Sequence, residues 1–453
     1  MELALAKGVS DLSPSEKIAQ NKVLQVLEST FALYGFSPLD TPLLERYDVL
    51  ASKYAGGAEI LKEIFTLTDQ GGRKLCLRYD LTVPFARYVG MHPQLKLPFK
   101  RYQIGKVYRD GPVALGRLRE FTQCDCDVVG PKSALVDAEL LALAQEAYTR
   151  LDLRVEIRVN DRQLLNGLMV IFSSRFLSSE ERDSALLIID KLDKIGSLGV
   201  ADELASQHLF SVTQAQTFLV ELEKFFVRAR DVVSSLTVLA AFTRYLTAEA
   251  TARKRDATLA LAGLSDLRAL FEALFTQGVT IARFSPSLVR GLAYYTGVVF
   301  EVYALEGTIA SAIGSGGRYD AMIGNFLGGS IVYPACGISF GLDRIVLALG
   351  EKNAPATLTF VYVIPVGNTV ADALALTSAL RTSGISTEVD LVGKSPSKNL
   401  DYAAKLGIPY VVFVGAQELA AKAVKVRNMD SGVETLVPQR KLASEIKKLL
   451  KTL

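Results

Sequence analysis

The chain has 453 residues, 49% apolar and 22% charged, with 51 Lys and Arg against 48 Asp and Glu and a net charge of +3. That length exceeds one compact domain and implies two to four, and the charge is too mild to demand a nucleic-acid partner while permitting a local basic footprint. Four cysteines (Cys76, Cys124, Cys126, Cys336) make no secreted disulfide framework, and Cys124 and Cys126 lack the second pair or nearby histidine of a zinc site, so buried thiols in a reducing compartment are expected.

Residues 1–7 lack the charged-then-apolar order of a signal peptide, and no apolar run reaches transmembrane length. A soluble cytoplasmic protein without a membrane partner is expected. Residues 13–34 carry apolar side chains at three- and four-residue spacing (Ile18, Val23, Leu27, Phe31), which predicts an amphipathic helix ending at Gly35. Segment 36–44, with Pro38 and Pro42, reads as an edge or interface strand. Residues 63–69 and 73–79 predict a strand pair joined by Gly71-Gly72. Residues 97–109 and 119–129 predict a second pair, linked by a polar loop over 110–118.

Helical periodicity dominates 165–275, most clearly over 187–205, 215–229 and 233–252. Strand-like sequence returns over 288–303 and 331–339, followed by a helix from Asp343. From 356 to 453 the pattern alternates: strand 360–364, helix 370–382, strand 386–389, helix 400–406, strand 410–414. The expected fold is α+β, with an antiparallel sheet over 1–164 and 276–352, a helical insertion at 165–275, and a C-terminal α/β domain at 356–453. That last domain holds 12 Lys and Arg against 8 Asp and Glu, consistent with a phosphate-backbone partner or with a solvated surface.

Four segments place polar residues inside strand-like sequence, where burial needs a reason. In Arg78-Tyr79-Asp80-Leu81-Thr82, Asp80 and Thr82 are two apart and would share one side of a strand end, where a carboxylate beside a hydroxyl suits an ammonium group; a turn or helix cap is the other reading. Arg109 and Arg119 bracket the polar loop, and on the returning strand Phe121, Gln123, Asp125 and Asp127 share one face, a poor core and a good pocket wall. Arg290-Gly291-Leu292-Ala293-Tyr294-Tyr295-Thr296-Gly297 and Gly316-Gly317-Arg318-Tyr319-Asp320 surround arginine and phenols with small residues that admit close backbone approach. In Gly341-Leu342-Asp343-Arg344 a cation stands at a helix start, where the dipole disfavours it, so an anion or a flat ring beside Arg344 is expected. Histidine is scarce: neither His92 nor His208 sits in a nucleophile motif, so chemistry here would rest on positioning and electrostatics.

Gly35 with Pro42, Arg109 with Phe121, and Gly341-Leu342-Asp343-Arg344 resemble motifs one, two and three of class II aminoacyl-tRNA synthetases. The Arg290–Gly297 and Gly316–Asp320 runs resemble two signatures of the histidyl-tRNA synthetases, and Lys405-Leu406-Gly407-Ile408-Pro409-Tyr410-Val411-Val412 is similar to their anticodon-binding domain. Ala293, where that family often has an acidic residue, and a short loop after Arg109 depart from the pattern. The resemblance implies activation of L-histidine by ATP, with Mg2+ held mainly by phosphates and water and no protein metal site, then transfer to histidine tRNA by a homodimer. It implies that Arg109 and Arg290 are catalytic, and that Arg109, Phe121 and Arg344 bind ATP. Asp80, Leu81, Thr82, Arg109, Gln123, Asp127, Arg290, Tyr294 and Tyr295 would bind histidine. The rival is a non-catalytic relative acting as a regulatory subunit, such as that of ATP phosphoribosyltransferase; such chains typically lack the C-terminal domain present here. A general nucleic-acid-binding module would explain the basic domain but not the polar strands.

Overall fold

The computed structural model describes residues 3–54, 61–173, 175–289, 294–329, 331–350 and 356–450. Arg290, Gly291, Leu292 and Ala293 lie outside them. Two compact units form, one of residues 1–10 and 23–350, the other of 11–22 and 351–453.

The first unit is built on an eight-stranded sheet: β1 (Ser37–Pro38), β5 (Phe99–Tyr108), β6 (Glu120–Val129), β11 (Ala335–Gly341), β10 (Gly314–Arg318), β9 (Val298–Ala304), β7 (Val155–Asp161) and β8 (Ala282–Phe284), in that order. Its pairings are antiparallel except at the two edges, where β1 lies parallel to β5 and β8 to β7. The expected hairpin over 97–129 is present, with Gln103 opposite Asp125 and Arg101 opposite Asp127. A small sheet of β2 (Leu44–Arg46), β4 (Lys74–Leu77) and β3 (Thr66–Thr68) contains the other expected pair. Residues 288–303 do not form one strand. Thr296 N–H donates to the Arg318 carbonyl and the Gly297 carbonyl accepts from Arg162 N–H, so these residues leave the ladder and only Val298–Ala304 joins it.

Alternation along β6 divides its side chains between two worlds. Cys124, Cys126 and Val128 point into an apolar core shared with Leu27 and Phe31 of the helix Pro14–Leu33 and with Leu140, Ala144 and Tyr148 of the helix Ala134–Arg150. Each large apolar side chain buried there stabilises the sheet by about 1.5–3 kcal/mol. Burial holds the Cys124 and Cys126 thiols well above their ordinary range, as expected of inert core cysteines. The opposite face is left polar.

Helices fill the segment between β7 and β8. The first runs Arg162–Phe172, capped by Asp161, whose Oδ1 accepts from Gln163 and Leu164 N–H. The rest span Ser179–Ile189, Leu192–Ser206, Val212–Arg228, Val232–Arg253 and Thr258–Thr276. Phe172, Phe218, Phe225, Phe242 and Tyr245 pack ring against ring inside them. No helix of the described residues is long and apolar enough to cross a membrane.

The second unit carries the five-stranded sheet β13 (Thr387–Val389), β12 (Val361–Val366), β14 (Tyr410–Gly415), β15 (Ala423–Asn428), β16 (Glu434–Pro438). β12 is parallel to both neighbours, and the last three strands are antiparallel. Helices Val370–Thr382 and Pro396–Leu406 supply the crossovers.

Candidate active site

Register makes the floor of the site. Across β5, β6 and β11 the side chains of Arg101, Gln103, Gln123, Asp125, Asp127 and Ser339 share one face, because Asp125 stands opposite both Gln103 and Ser339 and Asp127 opposite Arg101 and Gly337. A Cβ at Gly337 would collide with the Asp127 carboxylate, so glycine is required there by close approach. Over this floor lies a cavity of about 500 Å³, lined among others by Asp80, Thr82, Arg109, Phe121, Gln123 and Asp127. Tyr294, Tyr295, Gly316, Gly317, Tyr319 and Arg344 line it as well. One concave site thus gathers segments distant in sequence, as ligand sites generally do.

Asp80 and Thr82 both line the cavity, but not from a strand. Asp80 sits in a turn and its Oδ1 accepts from Val83 N–H at 2.9 Å, while Thr82 opens the helix Thr82–Met91. The pair stands at a helix start rather than on a strand end: β4 ends at Leu77, Leu81 is the N-cap, and the Asp80 carboxylate meets an otherwise unpaired N–H of the first turn. Leu81 is not among the residues that line the cavity. Its side chain is fully buried, and its carbonyl accepts from the Arg101 guanidinium at 3.1 Å.

Arg109 is clamped between rings, 4.3 Å from the Tyr79 centroid and 5.0 Å from that of Phe121, with its Nε donating to the Tyr79 carbonyl. Its backbone N–H pairs with the Arg119 carbonyl, closing the polar loop. Arg344 reaches that loop: Nε donates to the Gly116 carbonyl at 2.9 Å and a terminal nitrogen to Ala312 at 2.7 Å. The preceding Asp343 accepts from Thr122 N–H, tying the helix Leu342–Leu349 to β6.

Sequence reasoning overlooked what holds Asp127. Arg101, wholly buried, pairs with it at 2.8 Å, and Tyr319 donates its hydroxyl to the other oxygen. Burial pushes the Asp127 carboxyl up, against the pull of Arg101. Asp125, also buried, is raised to about 7, mainly by desolvation, with Arg101 opposing and the Asp127 and Asp80 charges adding to it. Arg101 was detectable as a cation on the hairpin strand facing that carboxylate. Tyr319 stood in the glycine-rich signature, and nothing in sequence tied it to residue 127. His92 stacks on Tyr88 and bonds its carbonyl, His208 occupies a left-handed turn, and neither lines the cavity. Arg290 lies outside the described residues.

A family model described as Histidyl-tRNA synthetase matches residues 8–345, and one described as Anticodon binding domain matches 360–449. A curated relative, "Histidine--tRNA ligase 1" of Bacillus cereus, is 42% identical over 97% of this chain and 96% of its own. The crystal structure of histidyl-tRNA synthetase from Nostoc sp. PCC 7120 superposes with a TM-score of 0.83 at 30% identity, covering 99% of both chains. A Bacillus halodurans chain described as an ATP phosphoribosyltransferase regulatory subunit/histidyl-tRNA synthetase aligns with a TM-score of 0.72 at 22% identity, a likeness of fold alone.

Proposed function

The chain belongs to the histidyl-tRNA synthetase family, with ATP-driven ligation of histidine to its tRNA as its activity, and from that premise we propose a role for each side chain of the cavity. The carrying observation is the polar floor of half-buried Gln123 and buried Asp125 and Asp127, with Arg109 at its rim.

In the first step a histidine carboxylate oxygen attacks the α-phosphorus in line and pyrophosphate leaves. Negative charge grows on the phosphate oxygens, and fixed cations stabilise it without reorganising. Arg109, held between Tyr79 and Phe121, is pre-set for this. Arg290, assigned from its signature alone, is its partner. Phe121 and Arg344 take the two faces of adenine by stacking and cation–π contact. Magnesium would accompany the triphosphate, held mainly by phosphate and water oxygens, and the cavity-wall carboxylates Glu301 and Asp343 are the residues that would add oxygen donors to it.

Asp80, Thr82 and Gln123 receive the α-ammonium. Asp127, steadied by Arg101 and Tyr319, pairs with one imidazole nitrogen and Tyr294 or Tyr295 with the other. A site pairing both nitrogens rejects apolar isosteres by about 10⁴, because its own buried groups would otherwise go unpaired. In the second step the adenylate's own phosphate oxygen takes the proton of the tRNA ribose hydroxyl. The basic domain at 356–453 holds the anticodon arm, the helices over 165–275 form an insertion, and the enzyme works as a cytoplasmic homodimer. Histidine-stimulated ATP–pyrophosphate exchange tests this reading: no exchange above background with folded protein overturns it.

A further inference from the structure

Gln123 donates through Nε2 to the Ser339 hydroxyl at 2.9 Å, while its Oε1 is buried without a protein partner. Ser339 faces Asp125 directly across the ladder and helps hold that carboxyl down against burial, and Asp125 Oδ1 is likewise buried and unpartnered. All three line the cavity. Cross-strand geometry explains the triad: Ser339 stands directly opposite Asp125 and diagonal to Gln123, within reach of both.

A hydroxyl has one hydrogen. We propose that Ser339 and Asp125 are positioning residues which fix the amide of Gln123 with its oxygen toward the substrate ammonium. With the Ser339 proton committed to the Asp125 carboxylate, Oγ can only accept from Gln123, so the amide must present Oε1, an acceptor, to the cavity. Reverse the relay, with Asp125 protonated and donating, and Ser339 is free to donate to the amide oxygen. The NH2 group then faces the ammonium and repels it. The groups facing Asp125 are Arg101 and Gln103 from β5, Arg78 and Asp80 from the adjoining turn, and Asp127 and Ser339. An arriving ammonium adds a positive charge to this set and favours the ionised carboxylate, so substrate and relay stabilise each other.

The inference rests on the reading of Gln123 as an ammonium acceptor, and the experiment separates the two. Pyrophosphate exchange at pH 8, where a carboxyl titrating at about 7 is ionised, is measured for wild type, Ser339→Ala, Asp125→Asn and Gln123→Ala. Inhibition constants are taken for histidinol, which keeps the ammonium, and for imidazole-4-propionate, which lacks it. Ser339→Ala and Asp125→Asn should each raise KM for histidine and Ki for histidinol about tenfold, with Ki for the propionate unchanged and kcat changed far less. Ser339→Thr, which keeps the hydroxyl, should restore KM, and it carries the test if the alanine variant does not fold. A propionate Ki rising in parallel, or an unchanged histidine KM in the two relay variants while Gln123→Ala raises it, overturns the relay. No effect of Gln123→Ala overturns the underlying assignment of Gln123 itself.

Discussion

Arg101 and Asp127 face each other across the β5–β6 ladder, both buried, 2.8 Å apart. The guanidinium also lies 4.3 Å from the Phe85 ring and donates to the Leu81 carbonyl. It thereby joins the amino-acid pocket to the segment that carries Asp80 and Thr82. An ion pair this deep is costly to break on one side, because the survivor keeps its desolvation penalty.

Arg101→Met should therefore destabilise the first unit by about 3–5 kcal/mol and abolish exchange, while Arg101→Met combined with Asp127→Asn recovers much of the stability and none of the activity. Denaturant midpoints for the two proteins check this; equal midpoints would show that the pair is not coupled.

Arg290→Ala should slow adenylate formation by about 10²–10³ with less effect on histidine binding, since its assigned contact strengthens as charge develops on phosphate. Single-turnover rates decide, and a near-normal rate removes Arg290 from the activation step.

Asp161 gives a pH prediction. Burial raises its carboxyl to about 7, against the N–H bonds of Leu164 and Gln163. Because the folded protein binds this proton more tightly than the unfolded chain, stability is greatest below the unfolded value of about 4 and falls as pH rises toward 7. Asp161→Asn keeps an oxygen for the cap and removes the ionisation. Its melting temperature should fall less than that of wild type between pH 4 and pH 7; parallel curves would exclude Asp161 as the cause.

Segment 36–44, read from its prolines as an edge or interface strand, is the proposed dimer surface, and its residues differ in how well they would probe it. Leu39, in the segment with Pro42, packs partly buried against the cluster around Phe85 and Ile323, so a charge there would disturb packing. Leu43 and Leu44 are 45% and 49% exposed at the edge strand β2. Leu44→Asp should shift sedimentation toward monomer and depress activity with little change in melting temperature.

A chain truncated after Lys352 should keep histidine-dependent exchange and lose most aminoacylation, with tRNA binding that depends less steeply on salt. A circular-dichroism melt shows whether it folds. A folded truncated protein that charges tRNA at the full-length rate would remove the anticodon role from 356–453.

Periodicity by itself determined the helix Pro14–Leu33, the 97–129 hairpin, the shared face of Phe121, Gln123, Asp125 and Asp127, and the alternating elements of the second unit up to Tyr410–Gly415. It did so because strand and helix repeats are local and a two-residue period assigns faces before anything else folds. What local pattern could not carry was the partner of each buried group. Asp80 became an acceptor for Val83 N–H just before a helix rather than a strand residue because β4 stopped three residues before it. Arg101 met Asp127, Tyr319 met the same carboxylate from 192 residues away, and Ser339 met Gln123 from 216 away, only once four strands came into register. Burial turns such encounters into chemistry: in water these groups would ignore one another, and beneath the cavity their charges and hydrogen bonds are fixed by whichever neighbour the sheet supplies.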